Sequence, residues 1–450
     1  MASLKIYNSL HNRIEEFHPI QEGKASIYVC GPTVYSSPHI GNFRPIVVFD
    51  VLRRLLIALG YQVTFVSNYT DVDDKIIKRA KELGITEKEL TEGVIAEFSS
   101  LVDQVGALQP DVKPRPTVYM PQIIQYVKDL VDVGAAYVAP SGNVYFRVGT
   151  DPSYGILSGN TPDQLKAGAR IEVGEEKESP LDFALWKITE EGIRWDSPWG
   201  KGRPGWHTEC CVMINSIFRE QNGLIDIHGG GFDLKFPHHE NEIAQSMAHN
   251  HNHLANYWMH NGFIDINNQK MSKSLGNVLL AKDVVGKYGG MAFRLMLLDA
   301  QYRAPVSFRE ETILEAQRNV AKLESVAKGL SLRLQMADVD LASLPACYGE
   351  GFLEAMEDDL NTPNALARLY EDAKVGNQLL RNPNASLDAL KEQYAKLASE
   401  FFVLGLTSLK GKTLSEDDKK QYSAYLEAKK RKDFATSDAI RGSLLEKGIL

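Results

Sequence analysis

The chain has few cysteines, no long apolar run and no surplus of positive charge. Only 4 of its 450 residues are Cys, and Cys210 and Cys211 are adjacent, which excludes a disulfide scaffold and leaves free thiols or metal ligands. The longest apolar stretch, residues 45–59, contains three charged side chains and falls short of the roughly 20 apolar residues of a membrane span. We therefore expect a cytoplasmic protein without a transmembrane segment.

The net charge of -8, from 50 basic and 58 acidic side chains, argues against nucleic-acid binding by the chain as a whole. Residues 410–450 differ, with 10 Lys and Arg against 7 Asp and Glu. Within them, residues 429–432 have the sequence KKRK and are followed closely by Phe434. Such a run is either a solvated helix face or a charged and stacking surface for RNA. Because the chain as a whole is acidic, any polyanion has to be bound by a local basic patch of this kind.

Strands alternate with helices in two parts of the chain. Four stretches have the composition of strands: residues 25–30, 62–67, 224–228 and 258–266. Two stretches have helical periodicity, residues 40–59 and 237–248, and the three glycines at 229–231 are typical of a tight turn. Residues 109–200 break the alternation, and three later stretches are predicted to be amphipathic helices: 310–334, 351–375 and 385–404.

This pattern predicts an α/β fold, in which a doubly wound parallel sheet forms a Rossmann-like catalytic domain split by an α+β insertion. An α-helical bundle and a small C-terminal basic unit follow. The predicted boundaries are 1–108 for the first half of the sheet domain, 109–200 for the connective insertion, 201–288 for the second half, 289–348 for a helical linker, 349–406 for the bundle and 414–450 for the basic unit.

Two motifs at opposite ends of the split domain have the chemistry of a nucleotide site. Residues 30–42 (CGPTVYSSPHIGN) join the first predicted strand to the first helix, where Gly41 permits a close approach of a ligand and the helix N-terminus favours anions. Residues 270–274 (KMSKS) offer two lysines and two hydroxyls to a polyphosphate. Each motif alone is also compatible with an ordinary loop, whereas the pair in this order is specific.

A third constellation contains thiol, imidazole and carboxylate groups from three segments: Cys30, residues 205–211 (GWHTECC) and residues 236–242 (FPHHENE). His238 and Glu242 are four residues apart and share a helix face. Together with Cys30 and Cys210 they would make a four-ligand zinc site. The spacing alone leaves three alternatives open: His207 as a ligand, Cys211 in place of Cys210, and His239 in place of His238.

The paired motifs resemble the HIGH and KMSKS signatures of class I aminoacyl-tRNA synthetases, with Asn42 where the signature has a second His. The cysteine- and histidine-bearing segments, together with residues 70–75, 202–205 and 228–233, are similar to the cysteinyl-tRNA synthetase family from about residue 4 to the end of the chain. This resemblance implies one Zn²⁺ per chain, with the ligands Cys30, Cys210, His238 and Glu242.

The resemblance also implies the reaction. L-cysteine would be activated by ATP, with Mg²⁺, to cysteinyl-adenylate and pyrophosphate, and then transferred to the 3′ terminal ribose of tRNA(Cys). Zinc would select the substrate thiolate over the alcohol of serine. The implied catalytic residues are His39, Asn42, Lys270 and Lys273. ATP would be bound by these four with Gly31 and Gly41. The implied contacts to the substrate cysteine are Thr70, Trp206 and Asp233.

For the C-terminal half, the resemblance implies tRNA binding by the bundle, which contains residues 358–363 (DDLNTP), and anticodon-side contacts by the basic unit. We expect a monomer, and a basic unit that is truncated or lacks the short tail through which relatives usually continue. Two alternatives carry the same core: a cysteine ligase of mycothiol synthesis, which does not need the bundle, and a catalytically silent tRNA-binding relative, which does not need Lys270 and Lys273.

Overall fold

The computed structural model describes residues 3–160, 164, 176–267, 269–270 and 277–450. The strands in these ranges are β1 (Lys5–Asn8), β2 (Arg13–Glu16), β3 (Lys24–Val29), β4 (Gln62–Ser67), β5 (Ala136–Val138), β6 (Val144–Phe146), β7 (Phe183–Ile188), β8 (Gly202–Pro204), β9 (Ile225–Gly231), β10 (Ala255–Asn261), β11 (Ile264–Ile266), β12 (Gln269–Lys270) and β13 (Val306–Phe308).

The α-helices in the same ranges are α1 (Phe43–Ala58), α2 (Asp74–Leu83), α3 (Glu87–Gln104), α4 (Met120–Asp132), α5 (Trp206–Ile217), α6 (Glu240–Asn250), α7 (Ala281–Tyr288), α8 (Gly290–Leu298), α9 (Glu310–Gln335), α10 (Phe352–Glu357), α11 (Thr362–Arg381), α12 (Leu387–Leu404), α13 (Glu416–Lys430) and α14 (Phe434–Glu446). None of those helices combines the length and the apolar character needed to cross a membrane, within the part of the chain that the structure describes.

The central sheet has four parallel strands in the order β10-β9-β3-β4. Five of the six residues of β3 and six of the seven residues of β9 are buried, as expected for strands that are covered on both faces. The chain leaves β3 towards β4 on one side and returns later to β9 on the other. The carboxyl ends of β3 and β9 therefore border the crevice in which doubly wound sheets bind ligands.

The predicted tight turn at residues 229–231 is wrong, because β9 continues through Gly231 and pairs there with Asn261 of β10. Gly229 is needed for packing and not for a turn. A Cβ at Gly229 would lie only 2.2 Å from the ring of Phe49 in α1. Helix α1, which starts directly after the HIGN tetrapeptide, can thus approach the sheet closely.

In the sequence, a smaller antiparallel sheet in the order β5-β6-β7-β8 comes between the strands of the two halves of the parallel sheet. It packs with α4 and with α5 in a second hydrophobic core that contains Phe146, Trp186 and Met213. The last strand of this sheet, β8, leads directly into α5. The smaller sheet therefore sets the position at which α5 enters the ligand crevice.

The predicted single helix over residues 351–375 is wrong, because α10 ends at Glu357 and α11 begins at Thr362. Asp359 and Leu360 have positive φ values of 54°. The Asp359 carboxylate accepts hydrogen bonds from the Tyr7 N–H at 2.7 Å and from the Tyr302 hydroxyl at 2.9 Å. These partners are remote in sequence, so helical periodicity gives no sign of the break.

The helical bundle is joined to the sheet domain by a buried cluster around Asp50 of α1. Arg54 Nε lies 2.8 Å from Asp50 Oδ2, and Arg294 Nη2 lies 2.5 Å from the same oxygen. Arg294 also donates to the carbonyl oxygen of Leu404, the last residue of α12, at 2.6 Å. The helix that follows the HIGN tetrapeptide is therefore anchored to the end of the bundle.

Candidate active site and metal centre

The carboxyl ends of β3 and β9 and the starts of α5 and α6 converge on one cluster of ligand atoms. Cys30 directly follows β3, and its N–H donates to the Gly229 carbonyl of β9 at 3.1 Å. Cys210 lies in α5, and His238 and Glu242 lie on either side of the start of α6. The relevant atoms of these four residues are all within 4.8 Å of one another, so the structure brings the four predicted ligands together.

The distances within the cluster suit a tetrahedral metal ion. The two thiol sulfurs of Cys30 and Cys210 are 3.6 Å apart, and Cys210 Sγ lies 3.9 Å from His238 Nε2. Glu242 Oε1 lies 2.9 Å from His238 Nε2 and 3.9 Å from Cys30 Sγ. Ligand bonds of about 2.0 to 2.3 Å in a tetrahedron give edges of about 3.3 to 3.8 Å. The sulfur–sulfur distance falls in this range, and the other three distances lie within about 0.4 Å of it. A donor set of two sulfurs, one nitrogen and one oxygen is typical of zinc.

The alternatives that the sequence left open differ in their geometry. Cys211 faces away from the cluster, because its sulfur lies against the carbonyl oxygens of His207 and Glu242 at 3.7 and 3.6 Å. His207 Nδ1 lies 3.0 Å from His238 Nδ1, and His207 belongs to neither group of candidate ligands among the described residues. His239 remains an alternative, since it forms a second group with Cys30, His228 and Glu242.

Sequence reasoning gave no role to two buried histidines behind this site. His228 Nε2 lies 2.7 Å from Glu242 Oε2, and His239 Nδ1 lies 2.8 Å from His260 Nε2. His228 and His260 lie on neighbouring strands, β9 and β10, on a buried part of the sheet. Only the strand register brings them to the metal cluster, and their separation in sequence carries no signal of it.

The structure places the HIGN tetrapeptide beside the residues that follow the KMSKS segment. The Ile40 N–H donates to the Leu279 carbonyl at 3.0 Å, and His39 forms an isolated bridge with Leu280. Asn42 accepts a hydrogen bond from the His39 N–H at 2.9 Å, so its amide fixes the turn before α1. Lys270 lies in β12, whereas Lys273 lies outside the described residues.

Comparison with known proteins identifies the family. Residues 16–318 match the class I (C) tRNA synthetase catalytic domain, and residues 351–408 match the DALR domain. The chain is 46% identical over 447 residues to the cysteine–tRNA ligase of Acholeplasma laidlawii, covering 99% of this chain and 100% of that one. It is 43% identical over 457 residues to that of Geobacillus thermodenitrificans, covering 100% and 97%. The chain belongs to the cysteine–tRNA ligase family.

Solved structures show the same fold at much lower identity. Mycobacterium tuberculosis methionyl-tRNA synthetase bound by methionyl-adenylate superposes with a TM-score of 0.60 at 15% identity, covering 85% of this chain and 90% of that chain. The LeuRS of Agrobacterium radiobacter, in a ternary complex with tRNA, gives a TM-score of 0.61 at 12% identity, covering 88% and 86%. The α/β fold with a mostly helical C-terminal region, expected from the sequence, is therefore confirmed.

In this cysteine–tRNA ligase family member, electrostatics prepares part of the cluster for a cation. A hydrogen bond from Cys30, with His238 nearby, lowers the pKa of the Cys210 thiol to about 7 in spite of burial. Burial raises the pKa of the Cys30 thiol well above its usual value. Burial also opposes the charge of Glu242, but His238 and His228 hold its pKa well below the usual range. Carboxylate and thiolate are the forms that bind a metal.

Of the three residues predicted to contact substrate cysteine, Trp206 has a partner in the cluster and Thr70 has a partner next to it. The Trp206 ring stacks on the His238 ring with centroids 4.0 Å apart, and 38% of Trp206 is exposed. Thr70 is buried, and its hydroxyl donates to Glu209 Oε2 at 3.1 Å. Asp233 lies just beyond the end of β9, at the same edge of the sheet.

Two further features of the site were missed by sequence reasoning. Burial raises the pKa of Glu209 well above its usual value, so the carboxyl next to Cys210 favours its neutral form. Asn68 accepts the Gly31 N–H at 2.9 Å. A Cβ at Gly31 would lie 1.6 Å from the Asn68 carbonyl oxygen, so only glycine fits this close approach. The predicted ATP-site residue Gly31 therefore has a packing role in the described structure.

Proposed function

We propose that the chain is a zinc-dependent enzyme that activates L-cysteine with ATP and joins it to tRNA(Cys). The observation that carries the proposal is the group of two thiols, one imidazole and one carboxylate at the switch point of the sheet, in a member of the cysteine–tRNA ligase family. Family membership favours this function over the mycothiol-type ligase and over the silent relative. Cys30, Cys210, His238 and Glu242 would hold Zn²⁺, which would supply a preference for a thiolate over an alcohol as an additional ligand.

The chain's own residues would hold the amino acid over this cluster. Trp206 would close one side, since it already stacks on His238 and remains partly exposed. Thr70 would contact the substrate from the end of β4, and Asp233 would accept a hydrogen bond from its ammonium group. Together these contacts fix the carboxylate in the direction of the nucleotide, which is the positioning that an in-line attack requires.

In the activation step, the substrate carboxylate attacks the α-phosphate of ATP, the α–β phosphoanhydride bond breaks, and pyrophosphate leaves. We propose that His39, Gly41 and Asn42 hold ATP at the start of α1, where the helix N-terminus favours anions, and that Gly31 contributes from the segment after β3. Lys270 and Lys273, with Mg²⁺, would neutralise the charge that develops on the leaving pyrophosphate. The hydrogen bond between Ile40 and Leu279 supports this arrangement, because it joins the HIGN tetrapeptide to the segment that follows KMSKS.

In the transfer step, the 3′ terminal ribose hydroxyl of tRNA(Cys) attacks the cysteinyl carbonyl and AMP leaves. We propose that the helical bundle and the basic unit bind the body of the tRNA. The match of residues 351–408 to the DALR domain supports the first part, and residues 429–432 beside Phe434, which is 66% exposed, support the second. We further propose that the protein acts as a monomer in the cytoplasm.

The test is ATP–pyrophosphate exchange with each of the standard amino acids, followed by charging of total tRNA. We expect exchange with cysteine, none above background with serine, and charging of one tRNA species. Exchange without charging of any tRNA would favour the mycothiol-type ligase. tRNA binding without exchange would favour the silent relative.

A further inference from the structure

Exposed aromatic side chains are concentrated at one edge of the parallel sheet. Five Phe and Trp residues in the described part of the chain are at least 36% exposed, and four of them lie between residues 206 and 263: Trp206, Phe232, Phe236 and Phe263. Phe232 is 55% exposed. Exposed apolar surface that is concentrated at one place, and not scattered, marks a binding site.

Two of these rings come from neighbouring strand ends. Phe232 follows the last residue of β9, Gly231, and Phe263 lies two residues beyond the last residue of β10, Asn261. Gly231 and Asn261 are register partners in the parallel sheet. The two rings therefore lie at the carboxyl edge of the sheet, the edge that also carries Cys30.

The two rings form a corner. Their centroids are 6.1 Å apart and their planes are inclined by 79°, so one ring presents its edge to the face of the other. A flat ligand can stack on one ring while its own edge meets the second ring. Lys235 Nζ lies 6.0 Å from the Phe232 ring centre and adds a positive charge next to the corner.

We propose that Phe232 and Phe263, with Lys235, form a stacking platform for an unpaired base at the 3′ end of the tRNA. The inference rests on the proposed function. In that function the 3′ end must enter the site at the carboxyl edge of the sheet, and its terminal bases are single-stranded. Aromatic rings with an adjacent cation are the means by which proteins hold single-stranded nucleic acid, since the base stacks and the phosphate pairs with the cation.

A double-mutant cycle between protein and tRNA tests the platform. Equilibrium dissociation constants are measured for the full-length chain with intact tRNA(Cys) and with the same tRNA lacking its 3′-terminal nucleotides. We expect Phe232→Ala to weaken binding of the intact tRNA about tenfold, the order expected from loss of one stacked base. Binding of the shortened tRNA should change by less than about twofold. Phe232→Trp, which keeps an aromatic face, should retain affinity for the intact tRNA.

A control variant and a variant of the third platform residue accompany the cycle. Val133→Ala removes an apolar side chain that is 65% exposed at the end of α4, and it should leave both dissociation constants unchanged. Lys235→Ala should reduce the salt dependence of binding of the intact tRNA by about one counterion, without loss of the base-stacking effect.

Three outcomes would overturn the platform. Equal weakening of intact and shortened tRNA by Phe232→Ala would place the contact outside the 3′ end. An unchanged tRNA affinity with a raised KM for ATP in pyrophosphate exchange would assign the corner to the base of ATP. Normal binding, exchange and charging by Phe232→Ala and Phe263→Leu would leave the corner without a ligand role. If the wild-type chain charges no tRNA, the proposed function fails and the platform fails with it.

Discussion

The Asp50 cluster and the candidate metal centre are both buried and both contain a carboxylate, but they neutralise its charge differently. Asp50 receives two guanidinium groups, from Arg54 and Arg294, and its second oxygen accepts the Leu108 N–H at 2.8 Å. Glu242 is instead paired with two imidazoles, those of His228 and His238, and shares its surroundings with two thiols, those of Cys30 and Cys210.

The difference separates a structural ion cluster from a ligand site. Further N–H groups of Arg54 and Arg294 donate to backbone carbonyls, so the Asp50 cluster is complete within the protein. The metal centre instead contains more electron-pair donors than its histidines can satisfy. A divalent cation would satisfy them, as buried charges require a partner.

The largest effect is expected from a variant that disrupts the metal centre. Cys210→Ser should reduce zinc affinity by more than about 100-fold, beyond the range seen for residues that only support a ligand. Cysteine-dependent pyrophosphate exchange should be lost with it. Zinc content is measured by elemental analysis after dialysis. Cys211→Ser is the matched control and should retain zinc, because the Cys211 sulfur lies against the carbonyl oxygens of His207 and Glu242 and Cys211 belongs to neither group of candidate ligands among the described residues. Equal zinc retention by both variants would contradict the ligand assignment.

The second prediction concerns a variant that disrupts the Asp50 cluster. Arg294→Met removes one partner of a fully buried ion pair and should lower the free energy of unfolding by about 3 to 5 kcal/mol, with zinc content unchanged. Urea unfolding measures the change. Arg79→Met is the control, because its pair with Glu82 is about half exposed and should contribute no more than about 1 kcal/mol. A loss of zinc in Arg294→Met would show that the two clusters are not independent.

A third buried carboxylate extends the comparison, because its main charged neighbour is another acid. Burial and Asp372 raise the pKa of Glu400 to about 8, and Glu400 accepts the Gly349 N–H at 2.9 Å. Because the pKa of Glu400 is higher in the folded chain than in the unfolded chain, protonation of Glu400 stabilises the fold. This contribution is complete below about pH 4.5 and is lost as the pH rises through about 8.

Glu400→Gln should therefore remove part of the pH dependence of stability. We expect the wild type to lose about 3 kcal/mol of this contribution between pH 5 and 8, and the variant to lose much less, since Gln cannot ionise. Urea unfolding followed at both pH values compares the two chains. Parallel stability profiles would mean that the Glu400 proton does not contribute.

The smallest effect is expected from a variant that tests whether the metal centre is also the binding site of the substrate cysteine. Trp206→Ala should raise the KM for cysteine in pyrophosphate exchange about five- to tenfold, because one aromatic contact of about 1 kcal/mol is lost. Zinc content should stay at the wild-type level. Trp206→Phe, which keeps a ring over His238, is the control and should show a smaller rise. A fall in zinc content instead would make Trp206 a support for the ligand His238.

Sequence reasoning reached the α/β fold because its signals are local. The β-branched strands, the helical spacing after residue 40 and the four-residue interval between His238 and Glu242 are all visible within one element. The motif pair and the family resemblance then indicated Cys30, Cys210, His238 and Glu242 as ligands. These four meet in the structure, while their role as ligands stays a prediction.

Other features carried no local signal. The helix break at Asp359 depends on hydrogen bonds to Tyr7 and Tyr302, far away in the chain. The continuation of β9 through the glycines depends on β10 and on the ring of Phe49. Glycines that are typical of a turn can also lie in a strand, and only the neighbouring strand and the packed helix decide between the two.

The sequence by itself determined which chemical groups are available: four cysteines, a histidine-rich segment, two phosphate-type motifs and a basic C-terminal run. Only the tertiary structure decided which groups meet. Asp50 and Arg294 are 244 residues apart, and Cys30 and Cys210 are 180 apart, yet each pair is in direct contact. The physical reason is that strand order and helix packing fix these distances, and neither leaves a periodic trace in the chain.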